Sequence, residues 1–121
     1  MATVTGIGGF FFRAKDPMAL NKWYEEHFGI KPVPQSYDDM PWQTQAGVTV
    51  FAAFQDDTEY FGDQEKQWMM NFRVDDLDAV VKDLTAANVK VEVKEEEFPN
   101  GRFARVYDPE GNPVELWEPK S

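Results

Sequence analysis

The feature that most constrains this chain is an internal repeat with a period of about sixty residues. Phe12-Arg13-Ala14-Lys15-Asp16 matches Phe72-Arg73-Val74-Asp75-Asp76 at an offset of 60 positions. The correspondence continues downstream, where Ala19 meets Ala79, Leu20 meets Val80, Lys22 meets Lys82 and Tyr24 meets Leu84. Identity is low, but each pair occupies an equivalent place in one pattern. Chance is poor at supplying strand, cap and helix signals together.

In both copies a β-rich run comes first, Ile7 to Ala14 and Trp68 to Val74. An aspartate suited to capping a helix follows, Asp16 or the Asp75-Asp76 pair, and Pro17 fits the first helical turn. Leu20, Trp23, Tyr24 and Phe28 then recur at helical spacing, as do Leu77, Val80, Val81 and Leu84. Gly29 and Asn88 are residue types expected just past helix ends. The second halves of the copies are weaker. Gly47–Phe51 parallels Gly111–Glu115, and Asp108-Pro109-Glu110-Gly111-Asn112 reads as the turn of a hairpin joining Phe103–Tyr107 to Val114–Trp117. The acidic stretch Gln55–Lys66, with Gly62, is the connector between copies. The expectation is one α+β domain over 1–121, with a first module at about 4–60 and a second at about 67–119.

Composition narrows the function. A hydrophobic share of 42% allows a packed core. No apolar run approaches the roughly 18–20 residues of a membrane helix. The start of the chain shows neither a basic nor an apolar leader segment, so a cytoplasmic location is expected by default. The net charge of −10 repels phosphate, which argues against nucleic acid and anionic membranes as partners. Runs such as Glu95-Glu96-Glu97 read as solvated faces. Without cysteine there is no thiolate nucleophile and no sulfur-based metal site. His27 is the only histidine, and its place near a helix C-terminus suits a cation stabilised by the backbone dipole. Gly6-Ile7-Gly8-Gly9 opens a strand and lacks the lysine and helix start of a phosphate loop. Glu25-Glu26 lies on the polar side of a helix, with nothing to arrange it as a glycosidase pair.

Gly6 through Asp16, Trp23-Tyr24 through Phe28-Gly29-Ile30, Phe72 through Ala79, and Asp108-Pro109-Glu110-Gly111-Asn112-Pro113-Val114-Glu115-Leu116 together resemble the vicinal oxygen chelate superfamily. That group includes glyoxalase I, ring-cleaving dioxygenases, fosfomycin-modifying enzymes and bleomycin-binding resistance proteins. The resemblance implies two βαβββ modules whose curved mixed sheets enclose a cleft, often completed by a homodimer. It also implies four metal-ligand positions, which fall here on Gly9, Phe51, Met69 and Glu115. Only Glu115 keeps a ligand suited to a hard divalent ion, since a thioether is soft and the other two offer no donor. No metal and no cofactor are therefore expected, and metal-dependent catalysis is disfavoured.

Strand alternation from those positions turns Phe11, Arg13, Phe51, Ala53, Met69, Asn71, Arg73, Glu115 and Trp117 toward the cleft, with Trp42, Tyr60 and Phe61 in segments able to close it. Such an aromatic box with two arginines and one acid suits a small organic molecule. The arginines could instead pair with Glu115 to satisfy a buried carboxylate. The leading expectation is a metal-free protein that binds or sequesters an aromatic or cationic compound. Two alternatives stay open. One is a lyase, isomerase or dioxygenase-like enzyme using an atypical metal site or Glu115 as its only catalytic base. The other is an interaction module with a vestigial cleft.

Overall fold

A computed structural model describes residues 2–120. The elements in order are α1 (Pro17–Phe28), β1 (Met70–Arg73), α2 (Leu77–Ala86), β2 (Glu92–Val93), β3 (Gly101–Tyr107) and β4 (Pro113–Pro119). Both helices begin as their sequences dictate. Asp16 accepts from the Ala19 N–H with Pro17 in the first turn, and Asp76 accepts from the Ala79 N–H. Gly29 ends α1 in the left-handed region at φ 67°, and Asn88 follows α2 at φ 64°.

Each helix start also receives a carboxylate from far along the chain. Glu110 accepts from the backbone N–H groups of Lys15 (2.7 Å) and Asp16 (3.0 Å), and Glu118 accepts from that of Leu77 (2.8 Å). These are orphan or near-terminal donors at the positive end of a helix, where a negative group is favoured. The turn 108–112 thereby ties α1 to the hairpin.

The sheet has the order β1-β4-β3-β2. β1 runs parallel to β4, with Asn71 opposite Glu115 and Arg73 opposite Trp117. β3 is antiparallel to β4, and β2 to β3. Alternation splits the side chains between two faces. One face carries Ala104, Val106, Val114 and Leu116, which pack with Leu20 and Tyr24 of α1 and with Leu77 and Leu84 of α2. Full burial of each such leucine is worth about 1.5–3 kcal/mol. Asp108, also buried, is fully satisfied: it accepts from the Tyr24 hydroxyl (2.6 Å), the Asn112 side-chain amide (2.8 Å) and the N–H groups of Glu110 and Asn112. Burial first, and then the Asp108 carboxylate, push the Tyr24 phenol well above its ordinary pKa.

The second copy thus folds as β-α-β-β-β. In the first copy the helix forms but the expected strands do not. Ile7–Ala14 and Gly47–Phe51 join no ladder, and no backbone–backbone hydrogen bond involves residues 2–14 or 40–54 among the described residues. The β-rich composition of these runs is real, but a strand exists only when a neighbour supplies a register, and none does among the described residues. The alternation survives without the ladder. Phe10 and Phe12 pack on Trp68 at ring separations of 4.9 and 5.0 Å, while Phe11 turns away and is 93% exposed.

Candidate functional site

The sheet face opposite the helices carries two cross-strand rows. The first runs from Asn71 through Glu115 to Arg105 and Glu92. The second runs from Arg73 through Trp117 to Phe103, whose carbonyl accepts from the N–H of Lys94. Phe103 and Trp117 lie parallel, with 6.3 Å between centroids and 4° between planes. The Trp117 ring is fixed by its Nε1–H, which donates to the Asn100 carbonyl at 2.8 Å. Gly101 makes this approach possible: at φ 130°, a Cβ there would lie 2.9 Å from the indole nitrogen and 2.2 Å from the Glu118 carbonyl oxygen.

Glu115 is 7% exposed and sits in the first row. A carboxylate so buried needs partners. It accepts from the Asn71 amide at 2.8 Å and from the Tyr60 hydroxyl in a short hydrogen bond. Tyr60 arrives from the turn-rich segment that precedes β1, with Phe54 stacked on it at 5.9 Å. Two cations lie over its ring: the Arg105 guanidinium carbon 4.5 Å from the centroid and the Lys94 Nζ 4.7 Å from it. Lys94 also donates to the Tyr60 oxygen at 3.0 Å, and Arg105 donates to the Met69 sulfur at 3.6 Å.

The residues singled out from the sequence therefore divide. Met69, Asn71, Glu115 and Tyr60 are linked by the contacts just described, and Trp117 and Arg73 stand in the adjacent row. Arg73 does not pair with Glu115. Its guanidinium donates to the carbonyls of Gln45 (2.8 Å) and Val48, clamping that segment, and Gly47 leaves the room. A Cβ at position 47 would lie 2.8 Å from the Arg73 guanidinium carbon. Arg73 stands in the row of Trp117, one row along from Glu115, and reaches the loop carbonyls instead.

Trp42 packs on Phe72, a residue of the helix side, at 6.5 Å. Phe51 is 93% exposed. Phe11 curls over Gly9 and, with Arg13, borders a separate open groove of about 770 Å³ whose other walls include Lys66 and Trp68. Sequence reasoning missed Lys94, Phe103 and Arg105. The signal was available, since a hairpin pairing Tyr107 with Pro113 puts Phe103 and Arg105 on the same face as Trp117 and Glu115.

The donor chemistry of the four family ligand positions does not fit a divalent ion. Gly9 has no side chain and Phe51 no lone pair, the Met69 thioether faces a guanidinium, and the Glu115 oxygens are engaged by Tyr60 and Asn71. Among the described residues no three of His, Cys, Asp or Glu gather as potential ligands, and no helix is long and apolar enough to cross a membrane.

A mixed open sheet with helices on one face and a polar, aromatic-lined opposite face defines an α+β architecture. The chain belongs to the Glyoxalase/Bleomycin resistance protein/Dioxygenase superfamily, whose family model matches residues 6–116. TnmS3, an antibiotic binding protein from Streptomyces sp. CB03234, shares the fold with a TM-score of 0.62 and 19% identity, over 99% of this chain and 100% of that one. A glyoxalase/bleomycin resistance protein from the same organism is 35% identical over a shorter match, 40% of this chain and 42% of that one, less than half its length, with a TM-score of 0.37. No curated protein matches the chain.

Proposed function

We propose that this protein binds a small organic molecule, aromatic or cationic, on the sheet face bearing Glu115 and Trp117, using side chains in place of a metal. The observation that carries the reading is the buried Glu115 carboxylate held by Tyr60 and Asn71, beside the parallel Phe103 and Trp117 rings. Apolar surface with a few fixed polar groups is what orients a small ligand. Membership of a family that includes bleomycin resistance proteins, and the fold shared with an antibiotic binding protein, support the same reading. The mismatch between the four ligand positions and a divalent ion supports a degenerate metal site.

A second copy of the chain completes the cleft in this reading. Support comes from the unpaired first-copy segments, where Phe11, Val50 and Phe51 are exposed on backbone that makes no ladder. Long apolar runs with unpaired backbone groups are sites of strand pairing. Sedimentation velocity at micromolar concentration is expected to give a dimer.

Titration with aromatic and cationic compounds, followed by tryptophan fluorescence, is expected to give saturable quenching that W117F reduces. A compound set that gives no saturable response with folded protein would overturn the proposal. Protein prepared without a histidine tag is expected to carry substoichiometric divalent metal.

A further inference from the structure

The Lys94 ammonium stands among three aromatic rings. Its Nζ lies 4.7 Å from the centroid of Tyr60, 5.8 Å from that of Phe98 and 5.9 Å from that of Phe103. Its hydrogen bond goes to the Tyr60 oxygen at 3.0 Å, not to a carboxylate. Three acids follow it directly in the chain, Glu95, Glu96 and Glu97, yet among the described residues Lys94 forms no ion pair, and Glu97 is engaged by Lys120. A lysine offered carboxylates and found over rings marks a place where ring quadrupoles and a phenolic oxygen favour positive charge, and the Arg105 guanidinium over the same Tyr60 ring agrees.

We infer that Tyr60, Phe98 and Phe103 form a receptor for an organic ammonium group, which the protein's own Lys94 occupies as a displaceable stand-in. The inference rests on the proposed ligand-binding reading and names the chemical class that this end of the face takes: a compact alkylammonium or quaternary ammonium head. Three further observations agree. Phe103 lies parallel to the Trp117 ring, with 6.3 Å between centroids, which gives the cage an aromatic neighbour for a ligand with an aromatic body. Glu115 lies one hydrogen bond beyond the Tyr60 hydroxyl and places a buried negative charge behind the cage. The chain's net charge of −10 raises the local concentration of cations. Lys94 is an exposed residue just past the edge strand β2, and its charge rides on a flexible four-carbon stem that can swing out of the cage.

The test compares choline with its neutral isostere 3,3-dimethyl-1-butanol, measured by calorimetry against wild type, K94A, K94Q and the double variant K94A/F103A. Emptying the cage is expected to tighten choline binding at least tenfold in both K94A and K94Q, with little change for the alcohol. Removal of Phe103 is expected to cancel the gain. Equal gains for choline and the alcohol, or no gain in either folded single variant, would overturn the ammonium receptor. That failure is distinguishable from failure of the wider reading, because saturable quenching of wild type by neutral aromatic compounds does not depend on Lys94.

Discussion

The Tyr60 hydroxyl donates to the Glu115 carboxylate across 55 residues of chain, joining the segment before β1 to the last strand, β4. Through that bond a segment without secondary structure becomes part of the candidate site. Y60F removes one of the two donors on a buried carboxylate and is expected to destabilise the protein by about 1–3 kcal/mol. Chemical denaturation of Y60F, E115Q and the double variant gives the coupling; a coupling near zero would show that the bond holds nothing together.

Arg73 acts as a clamp on residues 45–48, through the carbonyls of Gln45 and Val48. R73A is expected to release this segment, with a stability loss of about 1–3 kcal/mol for charge-assisted bonds and faster proteolytic cleavage between residues 40 and 54. G47A is expected to give the same cleavage pattern, because its Cβ would displace the guanidinium. Unchanged cleavage in both variants would contradict the clamp.

Glu110 couples stability to acid. The backbone N–H groups of Asp16 and Lys15 hold its carboxyl below the ordinary carboxylate range. A depressed folded pKa means the stabilisation is present above the unfolded value of about 4.3 and is lost as pH falls through the folded one. E110Q is expected to lower the melting temperature at pH 7 and to flatten the decline below about pH 5. Parallel acid slopes in wild type and E110Q would rule the latch out.

Tyr24 gives the opposite sign. Its folded pKa is raised by burial and by Asp108, so its contribution is complete below the unfolded value of about 10 and fades as pH climbs beyond it. Y24F is expected to cost about 1–3 kcal/mol at neutral pH and to unfold less steeply than wild type above about pH 10. Thermal melts across pH 8–11 read both effects.

The core offers a control on these assignments. Leu84 and Leu116 are each about 1% exposed or less and pack from helix and sheet into the same cluster. L84A and L116A are each expected to cost about 2–5 kcal/mol. Denaturant midpoints measure this, and a loss below 1 kcal/mol at both positions would mean the helix layer is packed otherwise.

Sequence by itself determined the parts whose causes are local. Asp16, Pro17 and Gly29 bound α1; Asp76 and Asn88 bound α2; and Asp108–Asn112 makes the hairpin that fixes which residues share a face with Glu115. Caps, turns and alternation act over a few residues, so they are legible in one dimension. Only tertiary structure decided that the β-rich runs of the first copy remain unpaired in the single chain, that Arg73 binds carbonyls, and that Tyr60, Lys94 and Arg105 crowd together near Glu115. Each depends on groups separated by tens of residues competing for the same donor, acceptor or ring face. The winner of that competition is set by packing in three dimensions, which no local pattern encodes.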